Sequence, residues 1–417
     1  MNVLYVVPYA PNLIRVRPFN LIRELARRGN QVSVATLWTG EDEREDVMQL
    51  AQQVGHLEAT RLPRWRSYLN CLAALPTQTP LQAVYCWQPD LADGLKRMIS
   101  EQKSLGEFDV VHVEHMRGAK YGLWVKNHAP NLPIVWDSVD CISLLFQQAA
   151  GRSKRFVSRW ITTFELNRNR QYEGWLVDQF DHTLVTSTND KQALQKLSNQ
   201  NGHMQTISVL PNGVDQEYFQ PGEGTAREAN TLVISGKMSY HANVTMVLSF
   251  VENILPLIQA RRPEVKLWIV GKDPTREIIE LGHRPEIKVS GTVKDIRPYL
   301  QRAAVALSPL TYGAGIQNKV LEAMACATPV VTTPQAVSAL TAQVGRDVLV
   351  GNDADEIAAQ AVRLLENPQY QQEIGQAGLA YIRSNHDWSA IAGKLEGIYD
   401  ETIICHAKIN TRERNPG

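Results

Sequence analysis

Short apolar runs, each followed by a helical pattern, recur along the whole chain, and this alternation limits the possible fold more than any other feature. The first half opens with "NVLYVVPYA". A helical stretch follows with Leu21, Ile22, Leu25 and Ala26 on one face and Gly29 placed to end it. Then come "QVSVATL", "DVVHVE", "PIVWDSV" and "HTLVTS". The second half repeats the rhythm with "TLVISG", a helical pattern around residues 244–258, "VKLWIVG", "IKVSGTV", a short helix from Asp295 and "AVALSPL". A glycine turn, another helix, "PVVTT" and "DVLVG" complete it. Strands that are apolar throughout and separated by helices belong to parallel sheets covered on both faces. The pattern predicts an α/β chain of two doubly wound, Rossmann-like domains, with ligands beyond the carboxyl ends of the strands.

At 417 residues the chain is also too long for one ordinary core. The densest mid-chain turn signal is "SVLPNGVDQEYFQPGEG", with Pro211, the Asn212-Gly213 pair and Pro221. It divides residues 1–210 from residues 211–387. A long helix is expected over 388–407 and a frayed polar tail over 408–417. A cleft between the two domains is the expected site.

Charge narrows the partners. Lys plus Arg and Asp plus Glu each total 43, so the net charge is zero. That argues against a nucleic-acid protein, whose affinity comes mainly from phosphate contacts. The five cysteines are scattered, with no CxxC pair, which fits neither a disulfide framework nor a zinc site and suits a reduced, cytoplasmic compartment. The apolar N-terminus has no basic region before it and no cleavage site, so it does not read as a signal peptide. No stretch reaches the roughly 18 continuous apolar residues of a membrane span. A soluble or surface-bound protein is expected.

The stretch "GAGIQNKVLEAMACATPVVTT", residues 313–333, carries the strongest chemistry. Gly313 and Gly315 let a ligand approach the backbone. A helix then begins near Asn318, with Val320, Leu321 and Met324 as its buried stripe and Asn318, Lys319 and Glu322 sharing another face. A helix start behind a glycine turn attracts phosphate, and Lys319 adds a full charge. Glu322, one turn in, is placed either to accept hydrogen bonds from ribose hydroxyls or merely to complement the helix dipole. The loop alone leaves those two readings level.

"LEAMACATPVV" resembles the donor-binding signature of the family-four retaining glycosyltransferases, which have the GT-B fold of two Rossmann-like domains facing a cleft, with a C-terminal helix that can cross back to the first domain. "GIQNKVLEA" is similar to a sub-branch of that family. The family's earlier glutamate, thought to touch the sugar, is Ala314 here, and Lys319 supplies a phosphate contact in this sub-branch. "SVLPNGVDQEYF" resembles the interdomain segment, and "SGKMSYHANV" the first C-terminal strand and turn, where Lys237 takes the place of a diphosphate-binding residue. The second basic residue of that turn would fall near Ala242-Asn243 and is absent. "YAPNLIRVRPFNLIRELARRGNQVSVAT" is similar to the N-terminal strand-loop-helix-strand, with Ile14 to Arg17 where relatives have a Gly-Gly loop.

The resemblance implies an enzyme that moves a sugar, with retention, from a nucleotide-diphosphate sugar to a saccharide or lipid-linked acceptor in cell-surface polysaccharide or glycolipid synthesis. Lys237 and Lys319 would offset the departing diphosphate, Glu322 and Asn318 would hold the nucleotide, the backbone from Gly313 to Ile316 the phosphate or sugar, and the Val293 region the base. The nucleotide-sugar is then a co-substrate, and no metal or other cofactor is expected. A sugar-nucleotide epimerase on the same fold, or an inactive nucleotide-sugar-binding relative, is the alternative.

In "FDVVHVEHMRGAKYG", strand alternation puts His112 and Glu114 on one face and His115 on the other unless the strand ends first. Relatives carry a histidine aligned with Glu114 near the transferred sugar, so Glu114 or His115 is placed to steer it, while His112 reads as structural. Asp137 and Asp140 read as turn caps, and the Asp353/Asp355 pair as a helix N-cap rather than a metal site. Arg15 and Arg17 follow the first strand and suit an anionic acceptor or a phosphate. "GRSKRFVSRWITTFELNRNRQYEGW" and "RLPRWRSYL" are basic with interleaved aromatics. Such helices either lie on an anionic membrane, here its inner face, or pack their aromatics inward; inward packing is the expectation for the longer one.

Overall fold

The computed structural model describes residues 1–12, 15–100, 106–150, 156–198, 206–222, 224, 226–310 and 316–414. The chain divides into two units, Met1–Pro211 together with Trp388–Gly417, and Asn212–Asp387.

The first unit holds seven parallel strands: β1 (Asn2–Val7), β2 (Gln31–Trp38), β3 (His56–Arg61), β4 (Val110–Glu114), β5 (Ile134–Val139), β6 (His182–Val185) and β7 (Thr206–Val209), ordered β3-β2-β1-β4-β5-β6-β7. β1 and β4 are buried at every residue, as strands covered on both faces must be. Gly29, at φ +90°, ends the Val16–Arg27 helix in the left-handed conformation that favours glycine.

The Trp388–Arg414 helix belongs to this unit. Its Trp388, Ile391, Leu395 and Tyr399 join Val3, Tyr5, Leu21 and Leu25 in one apolar cluster. The helix runs on to Arg414 instead of fraying from residue 408, because no glycine or proline occurs between Gly397 and Pro416.

The long helix Phe156–Val177 also departs from expectation. Phe164 and Trp175 face outward at 41% and 42% exposure, while Glu165, Arg168, Asn169 and Glu173 are buried. The inward polar groups serve neighbouring helix ends. Glu173 accepts the N–H groups of Ile142 at 2.6 Å and Ser143 at 3.0 Å, where the Ile142–Ala150 helix begins. The side chains of Phe156 and Trp160 lie outside those described.

The second unit has six strands: β8 (Glu228–Ser235), β9 (Lys266–Val270), β10 (Ile287–Val289), β11 (Ala303–Ser308), β12 (Val330–Thr332) and β13 (Leu349–Val350), ordered β10-β9-β8-β11-β12-β13. Among the described residues one helix, His241–Gln259, has the length and mean hydropathy (1.3) of a membrane span. Its Met246, Val247, Phe250, Leu255 and Ile258 are fully buried in the core of this unit. Its π turn over Phe250–Ile254 comes just before Pro256, which has no N–H for the regular ladder. Asp353 caps the Ala354–Glu366 helix by accepting the Glu356 N–H at 2.9 Å.

Both sheets run outward in opposite directions from a central pair, β1 with β4 and β8 with β11. Ligands of doubly wound sheets bind at such switch points, outside the carboxyl ends of the strands.

Candidate functional site

β8 ends at Ser235 and turns through Gly236 and Lys237 toward the His241–Ser249 helix. Glycine is required at this turn. Gly236 and Gly271 sit at φ +143° and +150°, and a Cβ on Gly271 would lie 1.7 Å from the Gly236 carbonyl oxygen. The loop is therefore pressed against the end of β9, and the Lys237 side chain stands exposed above it.

Asn243 organises this end of the sheet. It is 5% exposed, donates from Nδ2 to the Lys237 carbonyl at 2.9 Å, and accepts from Lys319 Nζ at 2.7 Å. Lys319 stands in the first turn of the Asn318–Ala325 helix, whose start is capped by no side chain. Val320, Leu321 and Met324 are buried beneath it. Asn318 accepts from Asn212 at 3.4 Å. Ile316 is buried in the cluster that holds Val320 and Leu321, and half-buried Val293 packs against the same cluster.

Glu322 lies one turn further along, half-buried. Burial pushes its carboxyl up to about 7 against the pull of Lys319, and burial pushes Lys319 down to about 8 against the pull of Glu322. The structure thus joins Lys237 and Lys319 through Asn243 at the end of β8, with Asn318 and Glu322 on the helix of Lys319 and with Ile316 and Val293 in the apolar cluster that holds Val320 and Leu321. Gly313, Ala314 and Gly315 lie outside the described residues. Two amines and an uncapped helix start suit a diphosphate, and a carboxyl one turn away suits neighbouring hydroxyls.

The first unit holds a buried polar network at its own switch point. β4 ends at Glu114, paired in register with Asp137 of β5. Glu114 is 1% exposed and accepts from Tyr5 and Tyr9, each at 3.0 Å. Burial and then the Asp137 charge push its carboxyl up to about 8, with Arg17 opposing. Asp137 is the stronger acid of the two. Burial raises it, but Arg17 and His112 hold it below the usual carboxylate range.

Arg17 is a correction to the sequence reading. Instead of offering its guanidinium to a phosphate or acceptor, it is buried, with Nε and Nη2 each 2.8 Å from Asp137 Oδ2 and Nη1 donating to the Leu210 carbonyl at 3.0 Å. The charge of Asp137 in the sheet interior demands that cation. Arg15, by contrast, remains half-exposed, pairs with Glu43 at 3.0 Å and lies over the Tyr9 ring.

His112, read as structural, is fully buried, stacks on Tyr5 and shares a 2.8 Å hydrogen bond with Tyr399. The strand stops before His115, which opens the His115–His128 helix at φ +62°, a conformation unusual for a residue with a Cβ. Its Nδ1 accepts the Arg117 N–H at 3.3 Å, and burial pushes its pKa down to about 3. His115 is therefore a neutral ring with its proton on Nε2, a hydrogen-bond donor and not a cation.

Sequence reasoning missed Asn243, Tyr5, Tyr9 and Tyr399. Only Asn243 left a trace, as the polar residue standing where the family's turn carries a base.

Residues 16–218 match the domain described as Glycosyltransferase Family 4, and residues 229–367 the domain described as Glycosyl transferases group 1. The chain belongs to the GT-B glycosyltransferases. Among curated proteins, this glycosyltransferase is 27% identical over 314 residues to the MMP α-(1→4)-mannosyltransferase of Mycolicibacterium hassiacum, covering 72% of each chain. It is 25% identical over 230 residues to a GDP-mannose-dependent monoacylated α-(1-6)-phosphatidylinositol monomannoside mannosyltransferase of Corynebacterium glutamicum, covering 49% of this chain and 59% of that protein. Its fold is similar to sucrose-phosphate synthase from Thermosynechococcus elongatus, with a TM-score of 0.69 at 17% identity, covering 97% of this chain and 99% of that one. It is similar also to Anabaena HepE in complex with UDP and glucose, with a TM-score of 0.64 at 14% identity, covering 96% and 100%.

Proposed function

We propose that this glycosyltransferase takes its sugar from a nucleotide-diphosphate sugar held by the second unit and transfers it, with retention at the anomeric carbon, to a saccharide or lipid-linked acceptor. The observation that carries the reading is the Asn243 bridge, which holds the Lys237 backbone and the Lys319 ammonium at one switch point with Glu322 a turn away. Lys237 and Lys319 offset the charge that develops on the departing diphosphate, the largest electrostatic demand of such a transfer. Glu322 accepts from the ribose hydroxyls with Asn318 beside it, the backbone from Gly313 to Ile316 cradles the phosphate or sugar, and the Val293 region meets the base. An oxygen of the leaving diphosphate takes the acceptor proton on the same face, so retention requires no separate base. The lysines and the helix start do the work that a metal does elsewhere.

In the first unit we give the steering of the transferred sugar to Glu114 or His115, and the meeting of an anionic acceptor to Arg15. The Corynebacterium relative acts on a phosphatidylinositol mannoside, and a relative in Propionibacterium freudenreichii is a phosphatidyl-myo-inositol mannosyltransferase. Their names support a lipid-linked acceptor and glycolipid synthesis, and from a lipid acceptor we take peripheral contact with the inner face of the cell membrane.

The test is a thermal-shift screen against uridine, guanosine and adenosine diphosphate sugars, since a ligand bound only by the folded chain raises its melting point. One nucleotide should stabilise the protein, and Glu322→Ala should weaken its binding by about 1–3 kcal/mol, the loss of a charged hydrogen-bond partner. Unchanged affinity for all three nucleotides removes Glu322 from the site. The anomeric configuration of the product, read by NMR against that of the donor, decides retention.

A further inference from the structure

A helix packed on a domain normally turns its large apolar side chains inward, and Arg64–Ala74 does the reverse. Its buried residues are Ser67 and Ala74, and Asn70 beside them donates to the Trp87 carbonyl at 2.7 Å. The large side chains stand in solvent: Trp65 at 58% exposure, Tyr68 at 63%, Leu69 at 52%, Leu72 at 61%, and Leu75 just past the helix at 48%. Positions 65, 68, 69 and 72 fall at i, i+3, i+4 and i+7, so they form one continuous face.

This helix is anchored. Buried Arg168 donates to the carbonyls of Ala74 at 2.6 Å and Leu75 at 3.3 Å, satisfying the helix end from within, and is itself held by Glu165 at 2.8 Å. Glu165 also accepts the Leu81 N–H at 3.1 Å, fixing the turn that follows. Exposure of the apolar face is thus a property of the packed helix.

Along the chain, the charge on either side of it has one sign. Arg61 and Arg64 are exposed, Arg66 lies over the Trp65 ring, and no acidic residue occurs between Glu58 and Asp90. Phe164, over which the Arg168 guanidinium lies, widens the apolar area. A second copy of this chain would bring the same arginines against one another across a two-fold axis. An anionic bilayer meets both halves of the chemistry, with leucine, tryptophan and tyrosine below the headgroups and guanidinium groups on the lipid phosphates.

We propose that Trp65, Tyr68, Leu69, Leu72 and Leu75 dock the chain on an anionic lipid surface, the helix lying in the headgroup plane. This names the surface for the membrane contact of the lipid-acceptor reading, but it stands on exposure and charge, so each can fail without the other. The docked helix packs on the Leu81–Tyr85 helix, which packs in turn on the helix that starts at His115. A lipid-borne acceptor and the first-unit polar network are thereby tied to one part of that unit.

The test is flotation of the full chain with phosphatidylcholine vesicles, with and without phosphatidylglycerol, in low and high salt and without nucleotide. Binding should need the anionic lipid and fall as salt rises. Leu69→Glu with Leu72→Glu, and separately Arg61→Glu with Arg64→Glu, should each lower binding by about tenfold or more. Melting temperature and turnover on a soluble acceptor should stay at wild-type values, because these side chains face solvent. Absence of binding to anionic vesicles, or binding that the leucine variant retains, overturns the proposal. So does light scattering that shows a dimer dissolved by Leu69→Glu with Leu72→Glu, which would make a second copy the occupant. Nucleotide binding is measured separately, so its failure would remove the sugar-transfer reading and leave the vesicle result standing.

Discussion

Arg17 and Arg15 stand two positions apart and answer to different physics. Arg17 is the counter-ion of a carboxylate inside a sheet, so Arg17→Ala leaves Asp137 charged and unpaired and should lower stability by about 3–5 kcal/mol. Arg15→Ala breaks a half-exposed pair with Glu43, a hydrogen bond to the Ala10 carbonyl and the contact with the Tyr9 ring, and should cost about 1 kcal/mol. Urea midpoints check both, and equal losses would refute the distinction. Glu114 sets a pH dependence. Its folded pKa near 8 lies above the ordinary carboxylate value, so between about 4.5 and 8 the folded chain keeps a proton that the unfolded chain releases. Stability should fall as pH rises through that window. Glu114→Gln, which has no such proton to lose, should flatten the fall without abolishing it, because Asp140 and Glu173 are pushed up to about 7 by burial in the same direction. A melting profile with undiminished slope in the variant would show that Glu114 is ionised in the folded chain.

The Asn318–Ala325 helix and the turn after β8 work as one element through Asn243. Burial holds Lys319 near 8, against about 10.4 in an unfolded chain, so between those values the unfolded state binds more protons and the cost of burying this lysine fades as pH rises. A bound diphosphate would favour the charged amine again. Binding of the nucleoside diphosphate near pH 8.5 should therefore take up protons, visible in calorimetry as a heat that changes between buffers of different ionisation enthalpy. Lys319→Met should remove that difference. Asn243→Ala should lower affinity by about 1–3 kcal/mol, because it frees both the Lys319 amine and the Lys237 backbone. Adding Asn243→Lys to Lys319→Ala should restore part of the binding, since it returns a cation to the turn where the wider family carries one. The same nucleotide titration reads both variants.

The order of the chain and the order of the folded units differ. Residues 212–387 form a continuous unit with its own sheet and core, so that fragment should fold alone and melt cooperatively. Residues 1–211 lack Trp388, Ile391, Leu395 and Tyr399, whose burial contributes about 1.5–3 kcal/mol each, a sum comparable with the whole stability of an ordinary domain. That fragment should be unfolded or molten by circular dichroism, and a peptide spanning 388–414 should restore it. Cooperative melting of 1–211 without the peptide would show that the helix merely decorates the unit.

The alternation of apolar runs and helical patterns was enough to read two doubly wound sheets, because strand burial on both faces is written locally in every strand. The 318–325 helix, its buried stripe and the placement of Lys319 and Glu322 on it were legible for the same reason: 3.6-residue periodicity is local. What the chain writes only at long range was hidden. Asp137 does accept the Val139 N–H as a turn cap would, but its ion pair with Arg17, remote in sequence, was hidden, and Glu114 could not be assigned its raised pKa before β4 and β5 paired and brought Asp137 alongside. The outward face of Arg64–Ala74 was visible as composition but not as exposure. Its periodicity shows that Trp65, Tyr68, Leu69 and Leu72 share one side of a helix, but only packing determines that small residues fill the inner side and leave those four in water.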